Sequence, residues 1–91
     1  MESIHLEVRG RVQGVGFRWF VVDKARELRL AGWVKNRGDG NVELAAAGEP
    51  ESLAKLAAAV ASGPPGARVE EVKHLSIVGA DSLQSPFAIV R

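Results

Sequence analysis

The chain has 91 residues, enough for one hydrophobic core but not two, so we expect a single domain over residues 1–91. Its 46% hydrophobic and 25% charged residues exclude the disordered class, and no apolar run approaches the roughly 20 residues of a membrane span. The N-terminus lacks the basic and then apolar pattern of a signal peptide, so a cytoplasmic protein is expected. The absence of cysteine excludes disulfides and thiolate chemistry.

The net charge of +1 argues against a dedicated nucleic-acid-binding protein, which usually carries a strong basic excess. The charge is nevertheless uneven. Residues 1–40 hold eight Lys or Arg against five Asp or Glu, and residues 41–91 hold four against six. The local positive excess suits a small anionic ligand near the first half. A chance distribution is the alternative, and composition alone does not separate the two.

The first half of the chain predicts a strand and then a helix. In residues 4–12, apolar or small residues occupy every second position, which is typical of a half-buried strand. These positions are Ile4, Leu6, Val8, Gly10 and Val12. From residue 17 to residue 30 the period changes, and Val21, Ala25 and Leu28 follow helical spacing. The second segment is therefore predicted as an amphipathic helix.

The middle of the chain predicts a hairpin followed by a second helix. Residues 32–47 read as two strands around the turn Gly38-Asp39-Gly40, whose glycines tolerate the positive φ of a three-residue hairpin. The second helix begins at Pro50, because proline suits the first helical position, and it ends before Gly63. Its apolar stripe consists of Leu53, Leu56 and Val60.

Two further strands complete the predicted fold. Residues 67–78 form one, and a slip of the apolar parity between Val69 and Val72 predicts a β-bulge in it. Residues 86–91 form a short final strand. The order is β-α-β-β-α-β plus this C-terminal strand. It predicts an α+β fold, the ferredoxin-like α/β sandwich, with two helices on one face of an antiparallel-type mixed sheet.

This topology predicts where a site lies. The first two strands run parallel with the third between them, so their C-terminal ends lie on one edge of the sheet, about 10 Å apart. The loop at residues 13–18 and Asn36 follow these two ends and are expected on the same rim. Strand ends of this kind are favoured positions for sites in α/β units.

The loop from Gln13 to Phe17 is rich in glycine and precedes a helix that has no Ser, Thr, Asp or Asn to cap it. Spacing alone leaves two interpretations open. Its N–H groups converge into an anion site, to which Arg18 adds a forked guanidinium, or the glycines only make a tight turn whose amides water solvates. The loop is neither a P-loop, since no GK[ST] follows, nor a dinucleotide fingerprint, since Trp19 replaces the third glycine.

The stretch "GRVQGVGFR", followed at this separation by "GWVKNRGDGNVE", resembles the acylphosphatase family, and the resemblance extends over the whole chain to Phe87 and Ile89. It implies a small enzyme that hydrolyses acyl phosphates. Arg18 would bind the phosphate and Asn36 would hold the attacking water. The resemblance assigns the phosphate cradle to the loop's backbone amides, over Val12, Gln13, Gly14, Val15, Gly16, Phe17 and Arg18.

The chemistry implied by this resemblance needs few groups. The leaving group of an acyl phosphate is a carboxylate, so no general acid is required, and phosphoryl transfer mainly needs positioning and charge stabilisation. No cofactor and no metal site are expected, and His5 and His74 are predicted as residues of the sheet surface. Without the resemblance, Asn36 would be interpreted as a strand-end residue that assists the hairpin.

One position departs from the family. Where its members commonly have "LGLxGW", this chain has "LRLAGW", with Arg29 in place of glycine. If Arg29 is left-handed, the cost relative to glycine is on the order of 1 kcal/mol. This departure would affect stability and not the active site.

Two alternatives use the same fold. RNA-recognition modules do, but Phe17 lies at a loop-to-helix junction and the free sheet face lacks interleaved aromatics, so nucleic-acid binding is not expected. The hydrogenase maturation factor carries an acylphosphatase-like domain at its N-terminus, followed by cysteine-rich zinc-binding segments. This chain has no cysteine, which favours a free-standing enzyme. No apolar patch demands a partner, so we expect a monomer that acts on a small acyl phosphate away from membranes.

Overall fold

The computed structural model describes residues 2–76 and 79–91. Its strands and helices are β1 (Glu2–Arg11), α1 (Phe17–Glu27), β2 (Ala31–Asn36), β3 (Val42–Gly48), α2 (Pro50–Ser62), β4 (Arg68–His74) and β5 (Ala88–Ile89). A short 3₁₀ helix, Ala80–Ser82, precedes β5. The five strands form one mixed sheet in the order β4-β1-β3-β2-β5, and the predicted ferredoxin-like fold is confirmed.

The centre of the sheet has the predicted arrangement. β3 pairs antiparallel with both β1 and β2, so β1 and β2 run parallel on either side of it. The β1–β3 ladder ends at Val8 opposite Val42, and the β2–β3 ladder ends at Asn36 opposite Val42. The C-terminal ends of β1 and β2 therefore open onto the same edge of the sheet.

Both helices pack on one face of this sheet because their apolar stripes match its alternating apolar positions. Pro50 is the first residue of α2, and Leu53, Leu56 and Val60 are buried, as predicted. The side chains buried between sheet and helices are Leu6, Val8, Val12, Phe17, Val21, Val34, Leu44, Leu56, Val60 and Phe87. Each fully buried side chain of this size contributes about 1.5–3 kcal/mol to folding.

The short 3₁₀ helix partly covers the opposite face of the sheet, and described residues before and after it bond to strand backbones. The Leu75 N–H donates to the His5 carbonyl at 2.8 Å, and the Gly32 N–H donates to the Gln84 carbonyl at 2.8 Å. The short 3₁₀ helix contacts β3, whose Ala45 is fully buried on this face. This covered strip was not predicted, because alanine at strand positions gives no signal of what covers it.

The predicted β-bulge is confirmed in β4. Arg9 pairs with Glu71 and Gly10 with Val69, so Glu70 is the extra residue. The insertion explains the parity slip in the sequence, because one unpaired residue restores the later apolar side chains to the core side. Gly10 has φ +131°, and a Cβ there would collide with the Arg68 carbonyl, so the bulge requires glycine opposite it.

Some boundaries differ from the prediction. α1 ends at Glu27 and not at residue 30, because the chain turns into the left-handed region at Arg29. β5 spans only Ala88–Ile89 within the predicted segment 86–91, although the Val90 N–H still donates to the Val34 carbonyl at 2.9 Å. The predicted strand over residues 67–78 is shorter as β4, and residues 77–78 of that prediction lie outside the described residues.

Candidate active site

The loop between β1 and α1 is shaped by two left-handed glycines. Gly14 has φ +74° and Gly16 has φ +77°. Val15 between them does not have positive φ, because Arg29 is the only non-glycine residue of the described chain that does. Left-handed residues that alternate with residues of negative φ can turn N–H groups toward one side, as in a backbone anion nest. The sequence pattern thus produces the local shape on which the anion interpretation depends.

The loop leads into a helix whose N-terminus has no side-chain cap. Gly16 is the N-cap residue, it forms no cap hydrogen bond, and the first turn contains no acidic residue. The N–H of Phe20 reaches the Gly16 carbonyl at 3.0 Å, so the N–H groups of residues 16–19 have no intrahelical acceptor. These donors and the positive end of the helix dipole together favour an anion.

Arg18 adds a side-chain cation to this helix end. It is half-buried at the second position of α1, and it forms no ion pair with any described residue. The loop that presents it is fixed at both ends, because the side chains of Val12 and Phe17 are buried in the core. A guanidinium held in this way can offer two parallel N–H donors to phosphate oxygens.

Asn36 is the last residue of β2 and lies on the helix-covered side of the sheet, two residues after the buried Val34. Its side-chain oxygen Oδ1 is buried and accepts no hydrogen bond from any described residue. Leaving a buried acceptor unpaired costs about 1–3 kcal/mol, so an acceptor in this position is suited to a donor from outside the chain.

Gln13 joins the loop to the hairpin that follows Asn36. Its side-chain Nε2 donates to the Arg37 carbonyl at 2.8 Å and to the Asn41 carbonyl at 2.9 Å. The predicted neighbourhood of the loop and Asn36 on one rim therefore exists in the structure. The family resemblance implied a place for Gln13 in the cradle through its backbone amide, and the contacts of its side chain had no sequence signal.

The β2–β3 hairpin is held by charges on the face of the sheet opposite the helices. The Asn41 N–H donates to Asp39 Oδ1 at 3.0 Å, and this bond, with help from Arg37, lowers the pKa of Asp39 below its ordinary value. Arg37 also contacts Glu7 at 3.6 Å and Glu43 at 3.4 Å. The turn carries its left-handed glycine at Gly40, as the hairpin prediction requires.

His5 lies on that same face, as predicted, but it is not unpaired. Its Nε2 is 2.6 Å from Glu43 Oε2, and its Nδ1 is 2.9 Å from the Ser76 carbonyl oxygen. Its ring also packs edge-on against Trp33 at 5.8 Å between centroids. These contacts explain His5 as part of the sheet surface. Over residues 2–76 and 79–91, no three His, Asp or Glu side chains group together as metal ligands would.

The volume of the open depressions on the surface does not identify the candidate site. One of about 740 Å³ lies beside the bulge and is lined in part by Arg9 and Glu70 but not by Arg18 or Asn36. A smaller one of about 380 Å³ includes Asn36 and Arg91. A phosphate group needs convergent donors and not a deep cavity, so the loop and Asn36 define the candidate site.

None of the described helices has the length and apolar character to cross a membrane.

Known proteins share both this sequence and this architecture. The family model "Acylphosphatase" matches residues 4–89. An acylphosphatase of Bacillus velezensis is 51% identical over 80 residues, covering 82% of this chain and 89% of the relative. The crystal structure of acylphosphatase from Bacillus subtilis superposes with a TM-score of 0.89 at 41% identity, and the match covers 100% of both chains.

The chain therefore belongs to the acylphosphatase family. The predictions that it resembles this family and that it is an enzyme of this class are confirmed. The same fold also occurs inside a longer protein. In the crystal structure of T. kodakarensis HypF, a region with a TM-score of 0.85 and 32% identity covers 100% of this chain but only 12% of that chain.

Proposed function

We propose that this chain hydrolyses the carboxyl–phosphate bond of acyl phosphates and releases a carboxylate and inorganic phosphate. Its membership of the acylphosphatase family supports the class of reaction. The residue assignment rests on one observation: unpaired hydrogen-bond donors and an unpaired acceptor lie on the same rim of the sheet. The N-terminus of α1 offers N–H donors without acceptors, and Asn36 Oδ1 is a buried acceptor without a donor.

The phosphoryl group is bound by the loop and by Arg18. The backbone N–H groups of residues 12–18 and the guanidinium of Arg18 donate to its non-bridging oxygens. Phosphoryl transfer depends mainly on holding these oxygens and on stabilising their charge, and donors fixed in advance do this without reorganising during the reaction. The left-handed Gly14 and Gly16 keep the amides in place before substrate arrives.

Asn36 positions the nucleophile. Its Oδ1 accepts a hydrogen bond from a water molecule, which turns a lone pair of the water oxygen toward phosphorus. The water oxygen forms a bond to phosphorus while the bond from phosphorus to the acyl oxygen breaks, and that electron pair leaves with the carboxylate. The proton lost by the water passes to a phosphate oxygen or to solvent. No general acid is needed, since the carboxylate is stable as an anion.

The same proposal covers the setting in which the enzyme works. We propose that it acts as a cytoplasmic, monomeric enzyme without a metal or cofactor, and with neither nucleic acid nor membrane as a partner. Phosphate binding by amides and a guanidinium supports the metal-free mechanism, because these groups can neutralise the transferred phosphoryl oxygens themselves.

Benzoyl phosphate hydrolysis by the purified protein in EDTA tests this function, with Asn36→Ala measured alongside. We expect wild-type turnover to survive the chelator and to fall about 100-fold or more in the variant, because the water loses its positioning group. Inorganic phosphate should still inhibit the variant at concentrations close to those for wild type, because the cradle is unchanged.

Asn41→Ala is the matched control, since Asn41 is the other asparagine of the chain and its side chain contacts Glu7 rather than the site. This control should keep most of the turnover. A folded but inactive wild type would contradict the function and leave the loop as an anion-binding module at most. Loss of phosphate inhibition in folded Asn36→Ala would instead assign Asn36 to the anion site.

A further inference from the structure

The two halves of the candidate site are carried by different segments, and few polar contacts join them. The last paired residues of β1 and β3 are Val8 and Val42, and beyond this point β1 pairs only with β4. Within the described residues, no backbone hydrogen bond joins the loop at residues 12–18 to the hairpin at residues 36–41. The sheet ladder therefore does not fix the separation between the cradle and Asn36.

The side chain of Gln13 spans this separation. It is half-buried, and its Nε2 is 2.8 Å from the Arg37 carbonyl and 2.9 Å from the Asn41 carbonyl. An amide nitrogen has two hydrogens, so both are used. The two acceptors flank the turn, since Arg37 directly follows Asn36 at the end of β2 and Asn41 directly precedes β3.

The orientation of this amide is fixed by its surroundings. Both partners are carbonyl oxygens, which can only accept hydrogen bonds, so only the NH₂ end of Gln13 can face them. The same two carbonyls close the hairpin, since Asn41 accepts from the Arg37 N–H at 2.8 Å and Arg37 accepts from the Gly40 N–H at 3.3 Å. Gln13 thus attaches the loop to the base of the turn and not to its exposed tip.

We propose that Gln13 is a positioning residue of the enzyme: its side-chain amide sets the distance between the phosphate cradle and the water held by Asn36. This inference rests on the proposed function. The proposed role predicts separate effects on phosphate binding and on turnover, whereas a general loss of stability would change both together. Phosphate binding depends on the loop and Arg18 alone, whereas turnover also requires Asn36 at the correct distance.

Gln13→Glu and Gln13→Met test this role with benzoyl phosphate as substrate. Both variants lack the two donors, and we expect kcat at neutral pH to fall about 100-fold, the loss associated with a displacement of about 1 Å. The inhibition constant for inorganic phosphate should stay close to that of wild type in both. Thermal melting at each pH used verifies that the variants are folded.

The pH profile gives a signature that a merely structural role would not produce. In acid, the carboxyl group introduced by Gln13→Glu becomes protonated and regains one O–H donor toward the two carbonyls. The ratio of its kcat to that of wild type should therefore rise as the pH falls, while the ratio for Gln13→Met stays constant. Gln84→Glu is the matched control, because Gln84 is exposed and only its backbone carbonyl makes a contact with Gly32.

The outcomes separate this inference from the function on which it rests. An inactive wild type overturns both. An active wild type with Gln13→Glu and Gln13→Met variants that keep kcat, or that lose phosphate inhibition and turnover in equal measure, overturns the positioning role alone. A lower kcat with preserved phosphate inhibition and recovery of Gln13→Glu in acid supports it.

Discussion

Arg18 brings a forked guanidinium to the rim of the loop at residues 12–18, and Asn36 brings a buried oxygen to the same rim. The Asn36 oxygen is costly to keep in a folded protein without a donor, because burial removes water from a group that needs hydrogen bonds. In the proposed mechanism, a water molecule donates to this oxygen and the substrate supplies phosphate oxygens to Arg18. The proposed mechanism therefore uses both groups at once, one for the substrate and one for its nucleophile.

Arg18→Lys is expected to lower kcat/KM for benzoyl phosphate about 100-fold or more. Lysine keeps the positive charge but is a point charge on a flexible stem, so it cannot provide two parallel donors, and a single lost donor of this kind costs a factor of about 100 to 1,000. Steady-state kinetics measure the effect.

Arg11→Lys provides the comparison for Arg18→Lys. Arg11 is exposed at the end of β1, and the buried Val12 next to it shows that its side chain points away from the core face. The same chemical change there should leave kcat/KM unchanged. Wild-type kinetics in Arg18→Lys would remove Arg18 from the proposed mechanism.

At the scale of elements, α1 has unusual residues at both ends. Its N-terminus begins at the left-handed Gly16, and its C-terminus ends in a Schellman motif with Arg29 at φ +59°. There the Leu30 N–H donates to the Ala25 carbonyl at 2.9 Å and the Arg29 N–H to the Arg26 carbonyl at 3.0 Å. Glycine is the usual residue at this position, so the C-terminal motif of α1 forms here although Arg29 carries a side chain.

Arg29→Gly should therefore raise the free energy of unfolding by about 1 kcal/mol, because glycine adopts the left-handed conformation without a Cβ clash. Urea unfolding measures the change. Arg29→Ala is the control, since it removes the same side chain but keeps the Cβ, and it should give little or no stabilisation. Equal stability of the two variants would show that backbone strain at residue 29 is not the cause. Turnover should be unaffected in either.

Most elements were predictable because local patterns fix them. Alternation in residues 4–12 predicts β1, and the parity slip before Val72 predicts the bulge in β4, since both follow from which side chains must face the core. The length of β5 was not predictable, because it depends on how far β2 offers a free edge. The bond from Gln13 to the hairpin also had no signal, because it joins residues 24 and 28 positions apart.

The site was predictable to a similar degree, for reasons of topology. The order of strands brings the end of β2 beside the loop after β1, so Asn36 could be placed on the rim from the sequence. Its unpartnered Oδ1 could not be predicted, since it depends on the packing of several segments around one atom. The phosphate-binding roles of residues 12–18 stay predictions, as do the roles of Arg18 and Asn36 in catalysis.

For the whole molecule, the proposed phosphate binding would be linked to folding stability. Only the folded chain assembles the cradle, so inorganic phosphate should stabilise the protein, by about 2.7 kcal/mol at a concentration 100 times its dissociation constant. Urea unfolding with and without phosphate measures this, with sodium chloride at equal ionic strength as the comparison. Asn36→Ala should keep the increment and Arg18→Lys should lose most of it. An equal increment from chloride would indicate general screening of charge.

The central place of β3 also governs how the chain becomes active. β1 and β2 come before β3 in the sequence, yet they reach each other in the sheet only through it, and β1 further pairs with the distant β4. Pairings between distant segments close long loops before they contribute energy, which slows folding. The loop after β1 and the turn after β2 can each form locally. They come together only when β3 pairs with both β1 and β2. We therefore expect catalytic competence to arise late in folding, together with the completed sheet.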